Sequence, residues 1–398
     1  MLKKVSRKNS LKGLITIPSD KSISHRAVMF SSIAEGECIV RNFSSGADCH
    51  STLNLFKNLG TDIQFVDNKT LKIKSTGVLQ PTKDSIYDCG NSGTTMRLVS
   101  GILASQNFNS TLIGDLSLSK RPMKRVIEPL SLMGAKIESE EGHAPLKITG
   151  QKLHGISYNS KLASAQVKSC ILLAGLKAEG ETIFTEPYVS RNHTENLFKY
   201  MDADIKINGA NVTLKPSILQ AKDIDVVGDI SSAAFFIVAG LIVPNSDFVI
   251  KNVGLNYTRS GIIDVANRMG GNIEILNKTT VSGEEVGDIR VQYTENLKHC
   301  TIEGEDIPRL IDELPVIAVL ASQAQGETLV KNAEDLRNKE SDRIKCLVEE
   351  LSKIGVNIEE RPDGFVVCGK SELEGGAELE SYHDHRLAMS YYIAGLIC

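Results

Sequence analysis

Hydrophobic positions along the chain fall into two kinds of block that alternate. The first is an amphipathic helix pattern that stops at Gly or Asp and runs through a small residue into a β-branched strand. It recurs at 53–65 (ending LGTDIQF), 127–138 (MGAKIE), 196–207 (MDADIKI), 262–275 (MGGNIEI) and 347–359 (IGVNIE). The stop residues Gly60, Gly134, Asp202, Gly270 and Gly355 recur at intervals of roughly 70 residues, and Gly is the residue a left-handed helix C-cap favours. The second block has a polar start, a helix of small apolar residues, a Gly and a strand. Copies begin at His25, Ser164, Ser231 and Asp312. A helix with so few charges belongs inside a core, and the Ile, Val and Thr after it favour a strand.

Each unit therefore reads strand, buried helix, strand, exposed helix and two strands. The pattern predicts an α/β fold of about six units in two groups of three. The sixth begins in AELESYHDHRLAMSYYIAGLIC and breaks off after its first helix. The strand at 11–18 is expected to supply part of it. Domains are predicted at 18–228 and at 1–17 plus 229–398.

Composition narrows the function. The chain has 398 residues, 41% apolar and 24% charged, as a soluble protein with a sizeable core would. A net charge of −4 argues against a nucleic-acid partner, so any anion site must be built from a few placed cations. The apolar run 233–244 is too short to span a bilayer, and Met1–Ser6 has charge without an apolar stretch after it. A cytoplasmic location with no membrane partner is expected. The eight cysteines form no CxxC pair and are expected to be buried free thiols.

The helix starts carry unexpected charges. Ser, Asp and Asn there are ordinary N-caps, and Pro122 fits a first helical position. Lys and Arg are not ordinary, because a helix N-terminus already carries about half a positive charge. Yet they stand at Lys21 and Arg26, Arg97, Arg121, Lys168, Arg191, Arg259, Arg343 and Arg386. Repeated at corresponding positions, they predict a shared site for phosphate or carboxylate groups. The sequence GNSGTT at 90–95 is weak by itself, and no carboxylate pair beside it has metal spacing. His383-Asp384-His385 at a helix start would point its two rings apart, so no metal is expected.

The chain resembles the 3-phosphoshikimate 1-carboxyvinyltransferase (EPSP synthase) family along essentially its whole length. The resemblance is carried by PSDKSISHR from Pro18, GNSGTTMR from Gly90, SKRPM from Ser119, SAQVKS from Ser164, GDISSAAFF from Gly228, DELP from Asp312, NKESDRI from Asn338 and HDHRLAM from His383. SAQVK, the Arg191–Glu195 segment and Asn256–Arg259 are similar to the family's second class. The resemblance implies two domains, each of three βαβαββ units in an inverse α/β barrel. Helix N-termini would aim into the cleft between them, which should close around anions, and the N-terminal strand would cross into the C-terminal domain.

It also implies the chemistry. The 5-hydroxyl of shikimate 3-phosphate would attack C2 of phosphoenolpyruvate, and phosphate would leave, with no cofactor and no metal. Lys21 would touch both substrates. Ser22, Arg26, Ser164, Ala165, Gln166, Arg191, Asp312 and Lys339 would bind shikimate 3-phosphate. Gly93, Arg121, Gln166, Arg343 and Arg386 would join Lys21 at phosphoenolpyruvate. Asp312 would take the hydroxyl proton, and Glu340 would serve the methylene carbon, although Asp312 also fits a helix N-cap and Glu340 a partner of a helix dipole. A monomer is expected.

Two departures stand beside this. The family continues past residue 398 with a strand, a helix and a further lysine, so a truncated, anion-binding pseudoenzyme is an alternative. Members tolerant of glyphosate carry Ala where Gly93 stands and GDK where Ser19-Asp20-Lys21 stands, so sensitivity is implied. The sister UDP-N-acetylglucosamine enolpyruvyl transferase would need a Cys near Arg121, and 117–125 has none.

Overall fold

Short polar side chains start many of the helices. In the computed structural model, which describes residues 2–398, Asp20, Ser92, Asp229, Asp342 and Asp384 each accept a backbone N–H from the turn they precede. These bonds measure 2.8–3.1 Å, and each such cap is worth about 1 kcal/mol. The stops are as regular. Gly60, Gly134, Asp202, Gly270 and Gly355 all have φ between 66° and 96°. Just beyond each stop, Thr61, Ala135, Ala203, Gly271 and Val356 donate their N–H groups to Phe56, Leu130, Phe198, Ala266 and Leu351 at 2.8–3.2 Å. This is the long bond of a Schellman turn, made five times over.

The chain divides into two units. The N-terminal unit is Ser19–Val227 with Thr280–Glu284, and the C-terminal unit is the rest. In the N-terminal unit each sheet pairs a leading strand in parallel with the strand after the buried helix, and two further strands add antiparallel. The leading strands are Ile224–Asp225, Ile86–Asp88 and Ser157–Asn159. The buried helices are Lys21–Ile33, Gly93–Ala104 and Ala165–Gly175, and the outer ones Ala47–Asn58, Lys124–Leu132 and His193–Tyr200. Ala27, Phe30, Leu98, Ile102, Ile171 and Leu172 are fully buried in its core. Gly101 is needed where two of these helices meet: a Cβ there would stand 2.1 Å from the carbonyl oxygen of Cys170.

The C-terminal unit repeats the plan with buried helices Ile230–Ile242, Leu314–Ser322 and His385–Gly395 and outer helices Gly261–Arg268 and Arg343–Ser352. One apolar core runs through Val238, Leu241, Ile317, Leu320, Ile344 and Leu387. The first of its two four-stranded sheets opens with Lys12–Thr16, parallel to Asp247–Gly254 in the register Lys12↔Asp247. This corrects one expectation. The N-terminal strand completes the fourth unit, not the broken sixth, because the sheet edge it fills belongs to Asp247–Gly254. The first unit's leading strand comes in turn from Ile224–Asp225. Beyond Gly369 the described residues form one helix and no further sheet.

Three local expectations also change. Pro122 precedes the helix Lys124–Leu132 and does not open it, because Met123 N–H is held by the Gly142 carbonyl at 2.8 Å. Asp312 does not cap the following helix; Glu313 stands at that cap position, without a capping side-chain bond. Cys300, Cys368 and Cys398 are half-buried, whereas the other five cysteines are buried. Among the described residues no helix is long and apolar enough to cross a membrane, and no group of three or more His, Cys, Asp or Glu could hold a metal ion.

Candidate active site

Each unit gathers cations and polar groups at its helix starts. In the N-terminal unit Lys21 is the first residue of its helix, half-exposed and ion-paired with Asp48. Ser22 follows, and its carbonyl accepts Arg26 Nη1 at 3.0 Å. Arg26 is buried. Its Nε donates to Thr194 Oγ1 and its Nη2 to Ser169 Oγ, both at 2.8 Å, and those two hydroxyls bond each other at 2.7 Å. Burial lowers its pKa to about 10 against the opposing charges of Glu195 and Asp20, while Arg191 lowers it further. The half-buried Arg191 thus lies within electrostatic reach of Arg26, two residues before the helix His193–Tyr200.

The second and third buried helices start side by side. Ser164 caps one of them, with Ala165 and Gln166 as its first residues, all three half-buried. Gln166 Oε1 accepts Arg97 Nη1 at 2.8 Å, and its Nε2 donates to Thr94 Oγ1 at 3.1 Å. Gly93 opens the other helix, and a Cβ there would lie 3.0 Å from Arg97 Nη1 and 3.6 Å from Arg121 Nη1. Arg121 Nη2 is steadied by Asn91 Oδ1 at 2.7 Å. A relay of side chains joins the starts of the first and second buried helices. His25 Nδ1 bonds Thr52 Oγ1, Thr52 bonds Thr95, and Thr95 donates to Ser92, each at 2.7 Å. Burial, followed by the charge of Lys21, lowers the His25 pKa to about 3. The ring is therefore neutral at ordinary pH and acts as a strut in this relay.

In the C-terminal unit two guanidiniums sit among four carboxylates. Arg343, the first residue of its helix, is 1% exposed. Its Nε donates to Asp384 Oδ2 at 2.7 Å, its Nη2 to Glu340 Oε2 at 2.6 Å, and its Nη1 lies 3.6 Å from Asp312 Oδ1. Arg386 Nη2 lies 3.6 Å from Asp312 Oδ2, and its Nη1 donates to the Asp312 carbonyl at 3.2 Å and faces Glu313 at 3.6 Å. Burial is the largest single influence on Asp384 and opposes its charge, but the bond and charge of Arg343, the Arg386 N–H and His385 together outweigh it and hold the carboxyl below its usual range. At Arg386 burial is likewise outweighed, by Asp312 and then Glu313, and its pKa is raised. Asp312 thus bridges the two guanidiniums as an ion pair, at 3.6 Å from each.

The predicted residues thus fall into two sets. Lys21, Ser22, Arg26, Gly93, Arg121, Ser164, Ala165, Gln166 and Arg191 belong to the N-terminal unit, and Asp312, Lys339, Glu340, Arg343 and Arg386 to the C-terminal one. Lys339, next to Glu340 in the chain, is bonded to Asp335 at 2.9 Å. Sequence reasoning placed Arg97 among the helix-start cations but did not foresee that it holds Gln166. It also missed Asp384, whose polar neighbours in HDHR were a usable signal.

Known proteins of one family match the chain over nearly its whole length. The family profile described as EPSP synthase (3-phosphoshikimate 1-carboxyvinyltransferase) matches residues 5–398. The chain belongs to the EPSP synthase family. A relative named 3-phosphoshikimate 1-carboxyvinyltransferase from Thermoanaerobacter sp. (strain X514) is 52% identical over 395 residues, covering 99% of this chain and 93% of the relative. The solved EPSP synthase from Acinetobacter baumannii superposes with a TM-score of 0.89 at 42% identity, over 99% of this chain and 91% of that one. The enolpyruvyl transferase NikO from Streptomyces tendae shares the fold, with a TM-score of 0.78 at 17% identity and coverage of 99% and 90%. The fold is the family's two-domain α/β architecture of repeated units.

Proposed function

We propose that this enzyme transfers the enolpyruvyl group of phosphoenolpyruvate to the 5-hydroxyl of shikimate 3-phosphate and releases phosphate. The observation that carries the reading is the pair of cation sets at helix starts, in a chain whose family is defined by this reaction. Charge-assisted bonds of about 1.5–3 kcal/mol each give such sets enough grip for multiply charged anions.

In this reading Arg26, Arg191, Ser22, Ser164, Ala165 and Lys339 hold shikimate 3-phosphate. Gly93, Arg121, Arg343 and Arg386 hold phosphoenolpyruvate, while Lys21 and Gln166 serve both substrates. Asp312 accepts the proton of the 5-hydroxyl as its oxygen bonds C2, and C3 gains a proton. The C2–O bond to phosphate then breaks as C3 loses a proton, with Glu340 beside the methylene carbon. Arg343 and Arg386 flank Asp312 and so hold the attacking base next to the group under attack.

A coupled phosphate-release assay with both substrates tests the reading. Release that requires both substrates supports it. No release at saturating substrate sinks it and favours an anion-binding pseudoenzyme.

A further inference from the structure

The N-terminal unit contains a buried ion cluster to which this chemistry gives no part. Lys168, in the first turn of its helix, is 1% exposed. Its Nζ meets Glu186 Oε1 and Glu195 Oε1, both at 2.7 Å, and donates to the Ser190 carbonyl at 3.1 Å. Glu186 Oε1 also accepts Ser190 N–H at 2.8 Å. The cluster therefore grips the peptide groups on both sides of Ser190, and the next residue is Arg191. Ser190, Glu186 and Glu195 are themselves buried.

The cluster reaches Arg26 by two routes. Ser169 and Thr194, the hydroxyls that hold the Arg26 guanidinium, are chain neighbours of Lys168 and Glu195. The second route is charge. One ammonium against two carboxylates leaves a surplus negative charge, and Arg26 supplies the compensating positive one. Glu195 is the foremost charge favouring the ionised form of Arg26. Burial raises the Glu195 pKa, and Lys168 opposes that rise. Removing one partner from such a group strands a buried charge, so the four side chains are held as one body.

We propose that Lys168, Glu186 and Glu195 are positioning residues for the 3-phosphate of the acceptor substrate, fixing the Ser190–Arg191 turn and the orientation of Arg26. Lys168 Nζ is taken up by the two carboxylates and the Ser190 carbonyl. The inference rests on the reading of Arg26 and Arg191 as 3-phosphate ligands. Its specific consequence is that damage falls on recognition of the 3-phosphate and largely spares phosphoenolpyruvate, because Gly93, Arg121, Arg343 and Arg386, the ligands it does not share, lie outside the helices of Arg26 and Lys168.

The test measures binding of shikimate 3-phosphate and of unphosphorylated shikimate by titration calorimetry, with KM values for both substrates. The variants are Lys168→Met and the isosteric Glu195→Gln. Misplacing a clamp by about 1 Å costs up to roughly 100-fold. Lys168→Met should therefore weaken shikimate 3-phosphate binding roughly 10- to 100-fold, and Glu195→Gln several-fold. Shikimate affinity and KM for phosphoenolpyruvate should stay within about twofold. A merely structural role would lower the melting temperature or the active fraction and leave that split absent. Glu195→Gln keeps the test alive should Lys168→Met fail to fold. Folded variants that bind shikimate 3-phosphate like the unaltered chain overturn the inference, as does equal weakening for both ring compounds. The proposed activity fails separately, when the unaltered chain releases no phosphate, and a chain that binds no shikimate 3-phosphate overturns both.

Discussion

Replacing Asp384 with Asn removes one charge and almost no volume, and it probes the best-anchored part of the C-terminal set. Asp384 is fully buried and accepts Arg343 Nε at 2.7 Å and Nη2 at 3.4 Å, while its Oδ1 caps the last helix by accepting Arg386 N–H at 2.9 Å. Asn keeps an oxygen for the cap but turns an amide donor toward Arg343 or gives up one of its acceptors. Breaking a buried ion pair from one side costs about 3–5 kcal/mol, and the lower end applies because Glu340 and Asp312 still face the guanidinium. At roughly 2–4 °C per kcal/mol for a unit of this size, the melting temperature of Asp384→Asn should fall by roughly 6–12 °C. Asp384→Ala should lose about 1 kcal/mol more with the cap.

The sign of the pH dependence follows from the depressed carboxyl of Asp384. A carboxyl whose folded pKa lies below its unfolded value of about 3.9 stabilises the fold fully above that value and loses the effect as pH falls through the folded pKa. The gap in stability between the unaltered chain and Asp384→Asn should be constant near neutrality and shrink only in strong acid. KM for phosphoenolpyruvate should rise in the same variant, because Arg343 and the start of the Arg386 helix lose their common anchor. Calorimetric scans across pH with initial-rate kinetics at neutral pH make the test. A variant melting within about 2 °C of the unaltered chain, with KM for phosphoenolpyruvate unchanged, refutes the reasoning.

Gly93→Ala would press a methyl against Arg97 and bring it into contact with Arg121, so KM for phosphoenolpyruvate should rise roughly tenfold while KM for shikimate 3-phosphate holds; steady-state kinetics with each substrate varied would show it. Gly101→Ala would drive a methyl into the Cys170 carbonyl, and urea unfolding should show a loss of about 1–3 kcal/mol or more. Asp312→Asn should cut kcat by roughly 10²- to 10⁴-fold with much smaller changes in either KM, as loss of a general base does, and pre-steady-state phosphate release would detect it.

How far the sequence could be read depended on range. Caps such as Asp20 and Ser92 and stops such as Gly134 depend on residues three to five positions away, so the local pattern exposes them. Motif residues such as Arg343 and Arg386 were legible because the family resemblance names them, and the structure brings both beside Asp312. The Arg97–Gln166 bond spans 69 residues and the Thr52–Thr95 bond 43, and neither side chain advertises its partner. The destination of the N-terminal strand was misread for a related reason. Alternating residues declare a strand, but which open edge it fills is decided by register with a segment more than 200 residues on. Asp312 was ambiguous between cap and base because an Asp before a helix serves either; its distance from both guanidiniums and its absence from the cap are visible only in three dimensions.

The exchange of opening strands bears on how the polypeptide is made. Lys12–Thr16 emerges from the ribosome first, yet its partner Asp247–Gly254 is some 235 residues behind it, as the Leu11–Ser246 contact spans. At roughly 5–20 residues per second that is a wait of about 12–47 s. Residues 19–227 are translated in the meantime, and their own first sheet gains its outermost strand only when Ile224–Asp225 arrives. Nascent chains stopped before residue 247 therefore carry a β-strand with nowhere native to go, and those chains, not the finished protein, are where aggregation and chaperone dependence should concentrate.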